Sequence, residues 1–438
     1  MTGAGLPHGE PESAVPLLSP RDGLPPVIET GEALGSATRA LAAGSGPVAV
    51  DAERASGYRY WGRAYLVQLR RAGAGTVLID PIACPDLSGV SAALAGAETV
   101  LHAASQDLPC LAELGYRPRA LFDTELAGRL LGFPRVGLGT LVETVLGLRL
   151  EKRHSAADWS RRPLPEDWLR YAALDVEVLI ELRDALARML TAQGKAGWAC
   201  QEFAAVLAAP PAAPRPDPWR RTSGIHRVRS RRGLATVREL WEQRDAIARQ
   251  LDLAPGRVLP DAAIVEAARM LTTVPGGRGR HEGPGGFARL RPADLARIPG
   301  FNSRIARQHG PEWLRAVERA RALPDRALPQ AGGASAGNGG PGGLPPGHRW
   351  AERDPDAAAR LGAARKAVAA LAEAHGMPAE NLMPPGAVRR LAWDPPDPPH
   401  AGAVARALAG YGARPWQVEL AAGAIATALL DLAGKSPR

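Results

Sequence analysis

Residues 48–69 read VAVDAERASGYRYWGRAYLVQL. The first third has the apolar content of a buried strand, yet Asp51 and Glu53 stand inside it. Side chains two apart on a strand share a face, so the two carboxylates are expected side by side, with Val50 and Ala52 turned the other way. Close carboxylates repel each other and resist burial unless a cation neutralises them. Their hard oxygen donors suit Mg²⁺ or Mn²⁺. A lone Asp-x-Glu also fits a solvent-facing strand end, so its meaning depends on what surrounds it.

Around this stretch, "PVAVDAE", "AYLVQLRR", "TVLIDP" and "ETVLHAA" read as strands. The first three are spaced as an antiparallel meander, and the fourth follows a helical segment. Other helical patterns are "GEALGSATRALAAG", "DLSGVSAALAG", "TELAGRLLG" and one long run from Pro165 to about Leu190. Residues 27–210 therefore read as a mixed α/β domain. Two more acidic marks fall inside it. Asp107, in "LHAASQDLPCL", follows the fourth strand at the start of a helix, where a carboxylate also suits the helix dipole. Tyr171 and Asp175, four apart in "LRYAALDVEVL", share one face of a helix. Asp123 or Thr124, in "FDTELAG", reads as a helix cap, and Asp123 is kept as structural.

In chain order the set is Asp-x-Glu on a first strand, Asp after a later strand, and Tyr-x-x-x-Asp on a late helix. It resembles the DEDD exonuclease superfamily, in the subclass whose third motif carries tyrosine. "HAASQD", "FDTELAGRLLG" and "DWSRRPLPEDWLRYAALDV" are similar in detail to the ribonuclease D family. The resemblance implies a ribonuclease-H-like α/β exonuclease domain with a mixed sheet. It implies two divalent cations, Mg²⁺ or Mn²⁺, held by Asp51, Glu53, Asp107 and Asp175, with Tyr171 orienting the attacking water. Two such ions clamp the entering and leaving oxygens of an in-line displacement. The expected activity is 3′–5′ exoribonucleolytic trimming that releases nucleoside 5′-monophosphates, with tRNA precursors the substrate the resemblance implies.

Outside this domain the expected organisation is a disordered tail over 1–26, a basic linker over 211–233, a helical domain over 234–323, a Gly/Pro-rich linker over 324–350 and a second helical domain over 351–432. Residues 240–322 are similar to the helical (HRDC) domain shared by RecQ-type helicases and ribonuclease D. The second helical region echoes the first: Pro260 and Pro384 each start a helix, and Gly300-Phe301-x-x-Arg304 parallels Gly410-Tyr411-x-x-Arg414. Both read as two HRDC-like, all-α units that hold substrate, with a protein-interaction module or spacer as the alternative. Lys152, Arg153, Arg161 and Arg162 near the acidic set, and Arg220, Arg221, Arg229, Arg231 and Arg232 beyond it, are the candidate phosphate contacts. Trp159 reads as a base-stacking or a buried indole. Tyr58, Tyr60 and Trp61 read as a substrate-side or hairpin-packing cluster.

The 438 residues carry a net charge of +9, and only four of the 54 cations are lysine. The pI of about 10.0 favours an anionic partner. Cys84, Cys110 and Cys200 lack any C-x-x-C pairing, which argues against a zinc site or disulfide framework and fits a reducing cytoplasm. The N-terminus lacks a signal-peptide pattern, and "AAGAIATALL" is too short to span a bilayer, so no membrane role is expected. "GKS" at Gly434 has no glycine five residues earlier, which excludes a P-loop. A monomer acting on RNA is the leading expectation. A DNA exonuclease and a noncatalytic nucleic-acid-binding protein are the alternatives.

Overall fold

The run around Asp51 becomes a central strand of a six-stranded sheet. The computed structural model describes residues 14–151, 154, 156–211, 213–271, 290–330, 344–345 and 347–435. Its strands are β1 (Val15–Leu17), β2 (Val27–Ile28), β3 (Ser45–Arg54), β4 (Ala64–Ala72), β5 (Gly75–Ile79), β6 (Glu98–Leu101), β7 (Ala120–Asp123) and β8 (Leu148–Leu150). The sheet order is β2-β5-β4-β3-β6-β7. Strands β3, β4 and β5 form the antiparallel meander, and β6 joins β3 in parallel after a crossover. Gly73 and Gly75 supply the positive φ, +85° and +74°, that the tight β4–β5 turn requires. Val48, Ala49 and Val50 are all buried, so both faces of β3 are covered.

The helices of this domain are α1 (Gly31–Ala43), α2 (Ser88–Ala93), α3 (Leu108–Glu113), α4 (Thr124–Leu130), α5 (Leu138–Leu146), α6 (Glu166–Glu177), α7 (Leu179–Ala192) and α8 (Ala196–Ala208). Two expectations are corrected here. The long helix is two, α6 and α7, separated at Val178. The break lets α6 lie across β3, β4 and β5 while α7 packs on α4 and α5. The tail expected to be disordered through residue 26 is ordered from residue 14: β1 pairs with β8 in parallel, and Asp22 meets Arg70 at 2.9 Å. Residues 1–13 lie outside the described residues.

Contacts divide the chain into two units, one of residues 1–54, 63–211 and 344–438, the other of 55–62 and 212–343. The second unit holds α9 (Arg231–Leu251), α10 (Pro255–Val258), α11 (Asp261–Leu271), α12 (Pro292–Ala296), α13 (Arg304–Gln308) and α14 (Gly310–Ala322) around Leu240, Ile264 and Trp313. Residues 55–62 belong to it. The Tyr60 hydroxyl donates to Asp245 at 3.0 Å, and Tyr58 lies under the Arg257 guanidinium, so these aromatics pack on helices rather than on a hairpin. The expected basic linker is partly core, since Trp219 is buried and α9 starts at Arg231. Residues 324–330 are also pinned: Arg231 donates to the carbonyls of Asp325, Leu328 and Pro329.

The last helices are α15 (Trp350–Arg353), α16 (Pro355–Ala374), α17 (Ala379–Leu382), α18 (Pro385–Trp393), α19 (Ala401–Gly410) and α20 (Pro415–Lys435). The order long helix, single turn, shorter helix appears in α16–α18 as in α9–α11. Trp350, expected in a linker, is fully buried and donates its indole N–H to the Pro345 carbonyl at 2.8 Å. This module shares a core with the sheet domain. Trp198 of α8 stacks on Trp416 of α20 with centroids 4.8 Å apart, and Lys195 donates to the carbonyls of Leu130 and His375, both at 2.7 Å. Helix α20 is long and apolar enough to cross a membrane, but Ala421, Ile425 and Leu429 are buried in the bundle.

Candidate active site

In the β3–β4 pairing, Asp51 lies opposite Gln68 and Glu53 opposite Leu66, so both carboxylates point to the face that α6 covers. Helix α6 brings Asp175 and, one turn earlier, Tyr171. One carboxylate oxygen from each of Asp51, Glu53 and Asp175 lies within 4.8 Å of the others. Asp107 ends a short turn after β6 and is 5% exposed. These residues and Tyr171 line one cavity of about 460 Å³.

Taking this many carboxylates out of water disfavours their charged forms. Burial raises Asp51 to about 6. Glu53 is raised to about 10 by burial and then by the charges of Asp51, Asp175 and Asp107. Asp107 is raised to about 7 by burial and Asp51, against the pull of Arg54. Asp175 is likewise raised well above the carboxylate range by burial and Asp51. Burial and the surrounding acids also push the Tyr171 hydroxyl up, so it stays protonated and able to donate. Burial lowers His102 to about 4, so its ring is neutral, with Nδ1 at 2.9 Å from the Thr124 hydroxyl.

The donor set fits a divalent cation. It consists of hard carboxylate oxygens, clustered and short of positive charge. Gln68, fully buried opposite Asp51 on β4, has neither amide atom hydrogen-bonded, so polar capacity stands unused next to the acidic set.

Arg54 is the neighbour that sequence reasoning missed. Its Nη2 lies 3.3 Å from Asp107 Oδ1. Alternation along β3 would turn it away from Glu53, but the pairing register shifts between Glu53 and Arg54, and such a bulge re-aims the side chain. Gly137 to Thr140, at the start of α5, also line the cavity and carried no signal beyond their glycines.

The basic candidates separate. Lys152 and Arg153 lie outside the described residues. Arg161 is exposed, as are Arg221 and Arg229. Arg162 is corrected from phosphate contact to internal brace. Its N–H groups reach both Asp80 oxygens (2.6 and 2.8 Å) and the carbonyls of Tyr65, Trp159 and Arg161. Arg231 and Arg232 are corrected likewise. Arg231 is spent on the chain after α14, and Arg232 on the end of α14 and the residues that follow it, at the carbonyls of Ala320, Arg321 and Leu323 and on Asp325. Arg220 pairs with Asp217 at 3.1 Å and lies over Trp219. Trp159 is fully buried, 5.4 Å from the Trp168 ring, so it does not stack on a base.

Residues 25–191 match the family model described as 3′-5′ exonuclease. Ribonuclease D of Gluconacetobacter diazotrophicus is 34% identical over 296 residues, which cover 65% of this chain and 69% of that one. The chain belongs to the ribonuclease D family. It is a 3′–5′ exoribonuclease, and its exonuclease domain implies a divalent metal. The crystal structure of Escherichia coli RNase D, described as an exoribonuclease involved in structured RNA processing, superposes with a TM-score of 0.63 at 26% identity over 94% of this chain and 99% of that one. A protein from Bifidobacterium adolescentis gives a TM-score of 0.79 at 37% identity, over 95% and 100% of the two chains. Ribonuclease D membership also accounts for the helical modules. Residues 233–275 match the HRDC domain, and 343–429 match the 3′ to 5′ exonuclease C-terminal domain.

Proposed function

We propose that this ribonuclease D trims structured RNA, tRNA precursors among them, one nucleotide at a time from the 3′ end, by two-metal-ion hydrolysis that leaves nucleoside 5′-monophosphates. The convergence of Asp51, Glu53 and Asp175 in one cavity with Tyr171 carries this reading. Asp51, Glu53, Asp107 and Asp175 would hold the cations. Bound Mg²⁺ or Mn²⁺ supplies Lewis acidity to the scissile phosphate and acidifies the attacking water. The protein residues position the reactants. Asp51 is the acid whose charge raises Glu53, Asp107 and Asp175 alike, which suits a shared ligand. The Tyr171 hydroxyl, kept protonated, would donate a hydrogen bond that orients the water. Arg54 offers a guanidinium at the rim for a phosphate oxygen once cations take over the neutralisation of Asp107.

The test is incubation of the full chain with labelled RNA and DNA of matched sequence, with Mg²⁺, Mn²⁺ or EDTA. Stepwise shortening of RNA from the 3′ end, abolished by EDTA, is expected. Endonucleolytic cuts, or equal hydrolysis in EDTA, would refute the assignment.

A further inference from the structure

The turn that presents Asp107 is not one its own sequence favours. Ala103 sits at φ +59° and ψ +51°, a left-handed conformation that residues bearing a Cβ seldom take. It leads directly into the short turn Ala104–Gln106 that ends on Asp107. Neither glycine nor asparagine stands at 103 to ease the geometry.

What holds the turn comes from the next strand. The Asp123 carboxylate, 2% exposed, accepts the backbone N–H of Ala103 on Oδ1 (3.1 Å) and of Ala104 on Oδ2 (2.8 Å). Its Oδ1 also accepts from Glu125 and Leu126, at 2.9 and 3.2 Å, capping α4. The neighbouring Thr124 hydroxyl, fully buried, donates to the Leu101 carbonyl at 3.3 Å and meets His102. Leu101 and Asp123 are cross-strand partners in β6 and β7, which sets the reach. A cap needs only the bonds to Glu125 and Leu126. The two to Ala103 and Ala104 leave the helix and serve the turn.

We propose that Asp123 is a positioning residue for the reaction, holding Ala103 left-handed so that Asp107 is aimed into the cation site. The proposal rests on Asp107 being a cation ligand. It predicts that the charge-neutral Asp123→Asn, whose amide offers a single acceptor oxygen, must give up a bond to the turn: with that oxygen at the Oδ1 position, its NH₂ faces the Ala104 N–H.

The experiment compares full-length Asp123→Asn, Ala103→Val, Ala103→Gly, the double variant Asp123→Asn with Ala103→Gly, and Asp107→Asn. Each is measured for Mn²⁺ binding without substrate, for thermal midpoint, and for kcat and KM on RNA. Asp123→Asn is expected to weaken Mn²⁺ binding and lower kcat by about 10- to 100-fold, with KM little changed. Ala103→Val should reproduce that loss with Asp123 intact, because a β-branched residue resists the left-handed φ. Adding Ala103→Gly to Asp123→Asn should restore most of the binding and turnover, since glycine takes that φ unaided. Asp123→Asn that keeps parental Mn²⁺ binding and kcat overturns the proposal. So does a double variant that regains thermal stability but not Mn²⁺ binding, which would leave Asp123 a helix cap alone. If Asp107→Asn itself changes neither binding nor kcat, the ligand assignment fails and the proposal falls with it. Loss in Asp107→Asn without loss in Asp123→Asn overturns the positioning role alone.

Discussion

At Asp51 the metal-free fold carries a charge it resists. Its folded pKa of about 6, and those of Asp107 near 7 and Glu53 near 10, lie above the ordinary 3.8, 3.8 and 4.5. Between these limits the native state binds more protons than the unfolded chain, so stability contributed by these groups is present in acid and is lost as pH rises. The EDTA-treated protein should therefore lose thermal stability from about pH 4 to about pH 7 more steeply than the Mn²⁺-loaded protein. Asp51→Asn should flatten that slope and raise the metal-free melting point, while cutting hydrolysis by at least about 10²-fold. Calorimetry across the pH series, with and without Mn²⁺, checks both. An unchanged slope in the variant counts against the electrostatic origin. Tyr171→Phe deletes only the hydroxyl. It should lower kcat by about 10²-fold and leave Mn²⁺ affinity unaltered, and a fall in affinity at unchanged kcat would reassign the residue. Residues such as Asp51, Glu53, Tyr171 and Asp175 were legible because strand and helix periodicities are local. Arg54 was not, because the bulge that re-aims it depends on pairing with β4. The work of Asp123 on Ala103 was hidden for the same reason: the cap was readable, but its bonds to another strand's turn were not.

Among the elements, β3 to β6 could be read from their apolar runs and spacing. The break between α6 and α7 could not, because one helical pattern runs through Val178 and only packing against different neighbours divides it. Strand β1 was missed because three residues in a Pro- and Gly-rich stretch carry no pattern of their own; pairing with β8 creates the strand. The segment before α6 shows how arginine misleads. Lys152, Arg153, Arg161 and Arg162 near an acidic site suggest phosphate contact, yet Arg162 ties this segment to Asp80 just after β5. Five matched donors are a brace that lysine cannot copy. Arg162→Ala should cost about 3 kcal/mol of stability, because it strands the nearly buried Asp80 carboxylate. RNA affinity, measured by titration over a salt series in folded protein, should keep the same salt slope. A slope lower by about one unit would return Arg162 to the list of phosphate contacts.

For the whole molecule, the two helical modules looked alike in sequence, and both looked like substrate-holding units on flexible tethers. Amphipathic helices announce a buried face but not the partner that buries it. Trp198 and Trp416 gave no sign that they meet, and Lys195, one of few lysines, gave none that its ammonium would bridge Leu130 and His375. With this stacking, the Trp416 indole also donates to Glu202 at 3.0 Å. The C-terminal module is thus part of the fold that carries the catalytic sheet. Deleting residues 344–438 would expose the ring of Trp198, leave Lys195 half its acceptors and uncover the apolar side of α8. The truncated chain is expected to melt well below the parent or to aggregate, whereas a freely tethered module would leave the melting point untouched. The milder Trp416→Ala should lower stability by about 3 kcal/mol. Paired with Trp198→Ala in a double-mutant cycle, it should show a coupling of about 1 kcal/mol from the stacked rings. Turnover per folded molecule on a short single-stranded RNA should be preserved in Trp416→Ala, because none of the cavity-lining residues lies in the C-terminal module. Additive mutations with no coupling would mean that the two rings touch without holding the module in place.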